Sequence, residues 1–222
     1  FTDDPLKLLV FTQNRHQNQL DIYIANPRST ECRIIVRDQA EHYITEEPYK
    51  NISLHPGGFV LMSERSGFNH LYLYDLNGTM KRQLTTGNFV VTDYYGYDEK
   101  TGTTYYASNQ EGPTRKAVYK SDIKGKVVKL STKEGTNDAI FSKNMKYFMN
   151  VYSNINTPPV TTLCDAKGKE LKVLEDNQEL KDKLAAIDLG ERRFFSFKTQ
   201  DGVELNGYMV LPPNFNEAQK YP

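Results

Sequence analysis

Short runs of apolar and polar side chains alternate along most of the chain. Leu6-Lys7-Leu8-Leu9-Val10-Phe11 is the first, followed by Leu20-Asp21-Ile22-Tyr23-Ile24 and Leu71-Tyr72-Leu73-Tyr74. Thr103-Thr104-Tyr105-Tyr106, Val118-Tyr119-Lys120 and Tyr147-Phe148-Met149-Asn150-Val151-Tyr152 continue the pattern. Such short runs of β-branched and aromatic residues, bounded by turn residues, predict strands. The breaks fall at His55-Pro56-Gly57-Gly58, Asn77-Gly78, Lys100-Thr101-Gly102, Lys124-Gly125 and Lys167-Gly168. Asn and Gly tolerate the positive φ that tight hairpins need.

The runs also recur. Asp21-Ile22-Tyr23-Ile24-Ala25-Asn26 is echoed by His70-Leu71-Tyr72-Leu73-Tyr74-Asp75, by Ala117-Val118-Tyr119-Lys120-Ser121-Asp122, and weakly by Thr162-Leu163-Cys164-Asp165. The last residues of these echoes, Asn26, Asp75, Asp122 and Asp165, lie 49, 47 and 43 positions apart. A glycine turn and a short strand follow three of them: Lys81-Arg82-Gln83-Leu84-Thr85, Val127-Val128-Lys129-Leu130-Ser131 and Leu171-Lys172-Val173-Leu174. A matched lead, Met62 to Gly67 and Ala107 to Gly112, precedes two of them. A period of this length with this strand order predicts an all-β fold, a partial β-propeller of about three to four four-stranded antiparallel blades. An ordinary β-sandwich would show similar strand density without the register of repeats. Residues 1–176 are assigned to the blades.

Residues 177–222 break the repeat. Asp176 or Asn177 can cap a short helix carrying Leu180, Leu184 and Ile187 on one face, with Gly190 as its stop. Arg193-Phe194-Phe195-Ser196-Phe197-Lys198 and Leu205-Asn206-Gly207-Tyr208-Met209-Val210-Leu211 flank Gln200-Asp201-Gly202 and predict a C-terminal hairpin. This looks like the opening of a second domain.

Composition narrows the function. Lys+Arg equals Asp+Glu, giving a formal net charge of zero, so nucleic acid is not expected as a partner. No apolar run reaches the roughly 20 residues of a membrane span. The chain has no leader-like start and reads as an excised piece. The two cysteines, Cys32 and Cys164, lack metal-site spacing; two buried free thiols are favoured over a disulfide. No metal or other cofactor is expected. The 15 Tyr and 11 Phe suit strands buried on one face and wet on the other. None of the serines sits in G-x-S-x-G. His16, His42, His55 and His70 read as surface, turn or structural residues. Asp3-Asp4 and Asp98-Glu99 read as loop acids, with no glycosidase pairing to defend.

The stretch from Phe195 to Pro213 resembles the link by which prolyl oligopeptidase-like enzymes pass from propeller to α/β-hydrolase. Residues 47 to 73 and Val173-Leu174-Glu175-Asp176-Asn177 resemble the dipeptidyl peptidase IV family. Thr2-Asp3-Asp4-Pro5 and Asn14-Arg15-His16-Gln17-Asn18 look like its bacterial members. The resemblance covers essentially the whole chain. It implies a serine-type dipeptidyl peptidase that removes N-terminal Xaa-Pro dipeptides, with a Ser-His-Asp triad in an α/β-hydrolase domain absent from this chain. The propeller would then gate access and help bind proline-containing peptides. A homodimeric intact enzyme and a periplasmic, extracellular or cell-surface location are implied by the resemblance alone.

Residue by residue, little chemistry carries over. Catalytic residues are expected to be none, and this chain alone to be inactive. The family holds a substrate ammonium with paired glutamates, but Glu46-Glu47 stands in a different motif and reads as an ordinary loop. Tyr43 matches a position where an aromatic residue lines the extended substrate pocket. The arginine beside it in the mammalian pattern is Ile44 here. Asn51-Ile52-Ser53 and Asn77-Gly78-Thr79 are glycosylation sequons. The competing assignment is a stand-alone propeller-type binding or scaffold module. Reading the gene past Pro222 separates the two, since a G-x-S-x-G followed by Asp and His favours the peptidase. An incomplete ring would leave apolar blade faces uncovered. The isolated chain is therefore expected to self-associate, and light scattering that gives the monomer mass at every concentration would contradict this.

Overall fold

The computed structural model describes residues 2–44, 50 and 52–221. Glu46, Glu47, Pro48 and the sequon residue Asn51 lie outside the described residues. Every sheet is antiparallel and follows chain order. The first has three strands: β1 (Leu8–Gln13), β2 (Gln19–Ala25) and β3 (Cys32–Gln39). The second has β4 (Ile52–His55), β5 (Gly58–Ser63), β6 (His70–Asp75) and β7 (Met80–Gln83). The third has β8 (Val91–Asp98), β9 (Thr103–Ser108), β10 (Ala117–Ser121) and β11 (Val127–Lys129). The fourth has β12 (Thr136–Phe141), β13 (Tyr147–Asn154), β14 (Thr157–Asp165) and β15 (Glu170–Glu175). A helix α1 (Gln178–Ala185) and a hairpin of β16 (Arg192–Lys198) and β17 (Glu204–Val210) follow. The chain divides into two compact units. One runs to residue 110 and adds 118–129; the other comprises 111–117 and residues from 130 onward.

The echoed segments are β2, β6, β10 and β14. In the four-stranded sheets this is the third strand, flanked on both sides by hydrogen-bonded neighbours. β5, β6, β9 and β10 are buried almost throughout. The last strands, β7, β11 and β15, are mostly exposed, and β15 entirely so. This gradient explains the sequence. A strand covered on both faces reads as a nearly continuous apolar run, whereas an edge strand needs polar and charged residues. In the first unit, Leu9, Leu20, Ile22 and Val36 from the first sheet form one core with Phe59, Leu61, Tyr72 and Tyr74 from the second. Phe59 and Tyr74 stack with ring centroids 5.2 Å apart.

The turn after each echo is built alike. Asp75 Oδ1 accepts from the backbone N–H groups of Asn77 and Thr79, both at 2.9 Å. Asp122 does the same for Lys124 and Lys126, at 2.8 and 2.9 Å, and Asp165 for Lys167 and Lys169, at 2.8 and 3.0 Å. The fourth residue of each turn is glycine at positive φ: Gly78 (88°), Gly125 (81°) and Gly168 (87°). At Gly78 a Cβ would also lie 2.0 Å from the Ile35 carbonyl of the preceding sheet, so both conformation and space require glycine. The first echo ends in Asn26, whose Oδ1 accepts from Arg28 and Ser29 at 2.9 and 3.2 Å in a longer turn. An uncharged amide can therefore accept backbone N–H groups where a strand of this kind reverses.

His70 is structural. It is buried at the start of β6, its Nε2 donates to the Gly87 carbonyl at 2.9 Å, and its Nδ1 lies 3.1 Å from Thr85 Oγ1. Asp98 caps its own turn, accepting from the Lys100 N–H at 3.0 Å and the Thr101 hydroxyl at 2.7 Å. Glu99 accepts from the Gly57 N–H at 2.8 Å and pairs with His55 Nδ1.

Three expectations need correction. Both thiols are free, but only Cys164 is buried; Cys32 is exposed, since it opens the outermost strand of the first sheet. Burial pushes the Cys164 thiol up to about 11. The helix ends at Ala185, short of Ile187 and Gly190. The Ala186 N–H bonds Asp182 O, and the Ile187 N–H closes a tighter turn on Leu184 O at 3.1 Å. Gly190 serves a different purpose, because a Cβ there would lie 1.7 Å from the Leu211 carbonyl. The cap is expected from Asp176 or Asn177, and one of the two provides it: Asn177 is the N-cap residue but adopts left-handed φ and makes no side-chain cap bond. Asp176 supplies it instead, accepting from the Gln178 N–H at 2.9 Å.

The turn aspartates carry a pH dependence. The Lys81 ammonium, then two backbone N–H groups, hold Asp75 below the ordinary carboxyl value of 3.8. Backbone N–H groups, led by those of Lys126 and Lys169, do the same for Asp122 and Asp165. A depressed carboxyl stabilises the fold above its unfolded-state pKa and loses that contribution as pH falls through the folded value. The wild-type unfolding temperature is expected to fall below about pH 4. A D75N/D122N/D165N variant should fold at neutral pH, as Asn26 does locally, and show a shallower acid limb in thermal melts followed by circular dichroism. An unchanged limb would place the acid sensitivity elsewhere.

Candidate functional site

In the first unit, residues 40–44 after β3 and the turn from β5 to β6 border a cavity of about 460 Å³. Its lining includes Asp38, Gln39, Tyr43, Ser63, Glu64 and Arg65. Tyr43 stands at its rim with 65% of its surface exposed. The next residue, Ile44, is half-buried: it also lines the cavity and packs against the core shared by the first two sheets.

Arg65 organises the opposite wall. Its Nη2 donates to Asp38 Oδ1 at 2.9 Å, its Nε to Ser63 Oγ at 3.1 Å, and its Nη1 to the Tyr74 hydroxyl. Its guanidinium carbon lies 4.9 Å from the centre of the Tyr72 ring. The Tyr72 hydroxyl in turn donates to Ser66 Oγ at 2.8 Å. The Asp38 side chain is 7% exposed and that of Arg65 26%, so the pair is largely removed from water. Burial raises the Tyr74 phenol above its ordinary value, and the neighbouring Arg65 opposes that shift. The ion pair cancels its own charge, leaving Glu64, His42 and Tyr43 as the other ionisable side chains on the described lining. A guanidinium has five N–H donors, and the three bonds above use three of them. Among the described residues, no group of three His, Cys, Asp or Glu side chains is placed to hold a metal ion.

Residues 1–159 match the family model described as the dipeptidyl peptidase IV (DPP IV) N-terminal region. The chain belongs to this family. Its similarity to a probable dipeptidyl peptidase 4 of Arthroderma benhamiae is 34% identity over 169 residues, 74% of this chain and 22% of the relative. Against the dipeptidyl peptidase 4 of Trichophyton rubrum, identity is 31% over 218 residues, 94% of this chain and 28% of the relative. The crystal structure of Porphyromonas gingivalis dipeptidyl peptidase 4 matches at 42% identity with a TM-score of 0.94. That match covers 100% of this chain and 32% of the other. The chain thus spans about a quarter of the length of these curated relatives and about a third of the solved one. With sheet order and relatives in agreement, the fold is the partial β-propeller expected from the repeat.

In this dipeptidyl peptidase IV region, sequence reasoning picked out Tyr43 but missed Asp38 and Arg65. The two are 27 positions apart and meet only because the first and second sheets share a core. The resemblance placed an arginine beside the aromatic position. Here that neighbour is an apolar anchor, and the guanidinium lining the cavity comes from Arg65 instead. Removing Arg65 would strand a buried carboxylate. Arg65→Met is expected to destabilise the chain by about 2–3 kcal/mol, below the range for a fully buried pair because Arg65 is partly wet. D38N/R65M should cost less than R65M alone. Urea titration of the three variants measures both differences, and an R65M effect within about 0.5 kcal/mol of wild type would contradict the assignment.

Proposed function

We propose that this chain is propeller sequence of a serine-type dipeptidyl peptidase that removes N-terminal Xaa-Pro dipeptides. It gates access to the active site and helps bind the peptide. Residues 1–176 supply blades, and residues 177–222 lead into an α/β-hydrolase domain that carries the Ser-His-Asp triad. Family membership supports the activity. The hairpin supports the connection: Phe194, Tyr208 and Val210 on one face and Phe195, Phe197 and Leu205 on the other are substantially exposed, as expected of strands that a further layer covers. The intact enzyme acts as a homodimer in the periplasm or at the cell exterior. Among the described residues no helix is long and apolar enough to cross a membrane.

The observation that carries the substrate role is the exposed Tyr43 ring at the mouth of the Arg65 cavity. In this assignment its face packs against residues on the N-terminal side of the proline, and Arg65 bounds the polar wall. The full-length protein is expected to hydrolyse a glycyl-prolyl chromogenic substrate and to lose that activity on reaction with a phosphonate probe of serine hydrolases. Tyr43→Ala should raise KM about 3–10-fold on peptide substrates with little change in kcat. Unchanged kcat/KM on several substrates would remove Tyr43 from the site, and absence of glycyl-prolyl hydrolysis would remove the activity itself.

A further inference from the structure

The segment carrying Tyr43 has no regular secondary structure, yet it is pinned from one side. The β1–β2 turn is closed by Asn14, whose Oδ1 accepts from the N–H groups of Asn18 and Gln19 at 3.0 and 3.1 Å. Gln17 in that turn adopts a left-handed φ of 55°, uncommon for a residue with a side chain. The turn offers two backbone carbonyls to the loop: Asn18 O accepts from Ala40 N–H at 3.0 Å, and Gln17 O from Ile44 N–H at 2.5 Å. From the end of β1, Gln13 Nε2 donates to Ile44 O at 3.1 Å, with Gln17 O also within 3.4 Å. Ile44 is therefore held at its N–H, at its carbonyl and through its side chain packed against the core. Tyr43 is the residue immediately before this clamp, and the Ile44 N–H belongs to the peptide that follows it.

We propose that Gln13 is a positioning residue for substrate recognition: its amide holds the Ile44 carbonyl and thereby fixes where the Tyr43 ring stands at the cavity mouth. This rests on the assignment of Tyr43 as a substrate contact. Gln13 is half-buried and takes no place in the cavity lining, so its influence on a peptide runs through the loop. A ring attached to a fixed backbone keeps its binding orientation before the ligand arrives, whereas a ring on a loose loop must be ordered on binding.

The test uses the full-length enzyme and peptide substrates with proline second. Gln13→Ala and Gln13→Glu, the latter the same size without the donor, are expected to raise KM about five-fold at unchanged kcat. The Q13A/Y43A enzyme should have the KM of Y43A alone, because without the ring there is nothing to aim. If Y43A raises KM while Q13A and Q13E leave it at the wild-type value, whatever their melting temperatures, the positioning role is overturned and the Tyr43 contact stands. If Q13A multiplies KM equally with and without Tyr43, Gln13 does not act through the ring and the proposal fails. If Y43A itself leaves KM unchanged, the Tyr43 contact fails first and the role of Gln13 fails with it.

Discussion

Burial of the central strands on both faces is the constraint from which the rest follows. In the second sheet, β5 and β6 have apolar or aromatic side chains at all positions but their ends, and both strands are buried almost throughout. Such strands leave no polar alternation to spare, so polar groups collect where strands end. His70 at the start of β6, Ser63 at the end of β5 and Asp38 near the end of β3 are buried there. A buried polar group without a partner is costly. Each of these has one: His70 with Gly87 and Thr85, Ser63 with Arg65, Asp38 with Arg65. The cavity wall is thus a consequence of how two strands terminate inside a packed core.

The recurrent turns answer the same constraint at the opposite end of the strands. A third strand that leaves the core must reverse at once into an exposed fourth. The aspartate does this by accepting two backbone N–H groups, and the glycine by taking the left-handed position. This pairing, repeated at Asp75, Asp122 and Asp165, makes the period visible. The hairpin β16–β17 uses Thr199 in the aspartate's place, accepting from Val203 N–H at 3.0 Å with Gly202 at φ 85°.

What was legible in the sequence follows from this. β2, β6, β10 and their turns stood out because double-sided burial and tight reversal both leave local signatures. β3, β4, β8 and β12 did not. β12 reads Thr-Asn-Asp-Ala-Ile-Phe, and its buried Asn137 looks like a loop residue until its amide is seen donating to the Lys116 and Lys133 carbonyls. β8 is interrupted by irregular pairing between Val91 and Asp93 and again between Tyr94 and Gly96, which blurs its alternation. Gly190 was misread because a glycine after a helix suggests a helix stop, whereas its real constraint is the Leu211 carbonyl, 21 positions away. Of the site, only Tyr43 could be named, and only through resemblance. The contact between Asp38 and Arg65 has no local signature at all.

The site also shows how a loop can be precise without regular structure. An apolar residue at position 44 can pack against the core, and that contact, with bonds at its N–H and its carbonyl, anchors the segment. A charged residue at that position would give up this apolar contact. Position 44 therefore contributes an apolar surface and not a guanidinium. The cavity still has one, but it enters from the β5–β6 turn, neutralised by Asp38 and close to the Tyr72 ring. A guanidinium fixed by three bonds and a ring loses less freedom on meeting a ligand than one swinging on an exposed loop. It also presents fewer spare donors, so the wall it forms is suited to choosing where an acceptor sits more than to attracting charge from a distance.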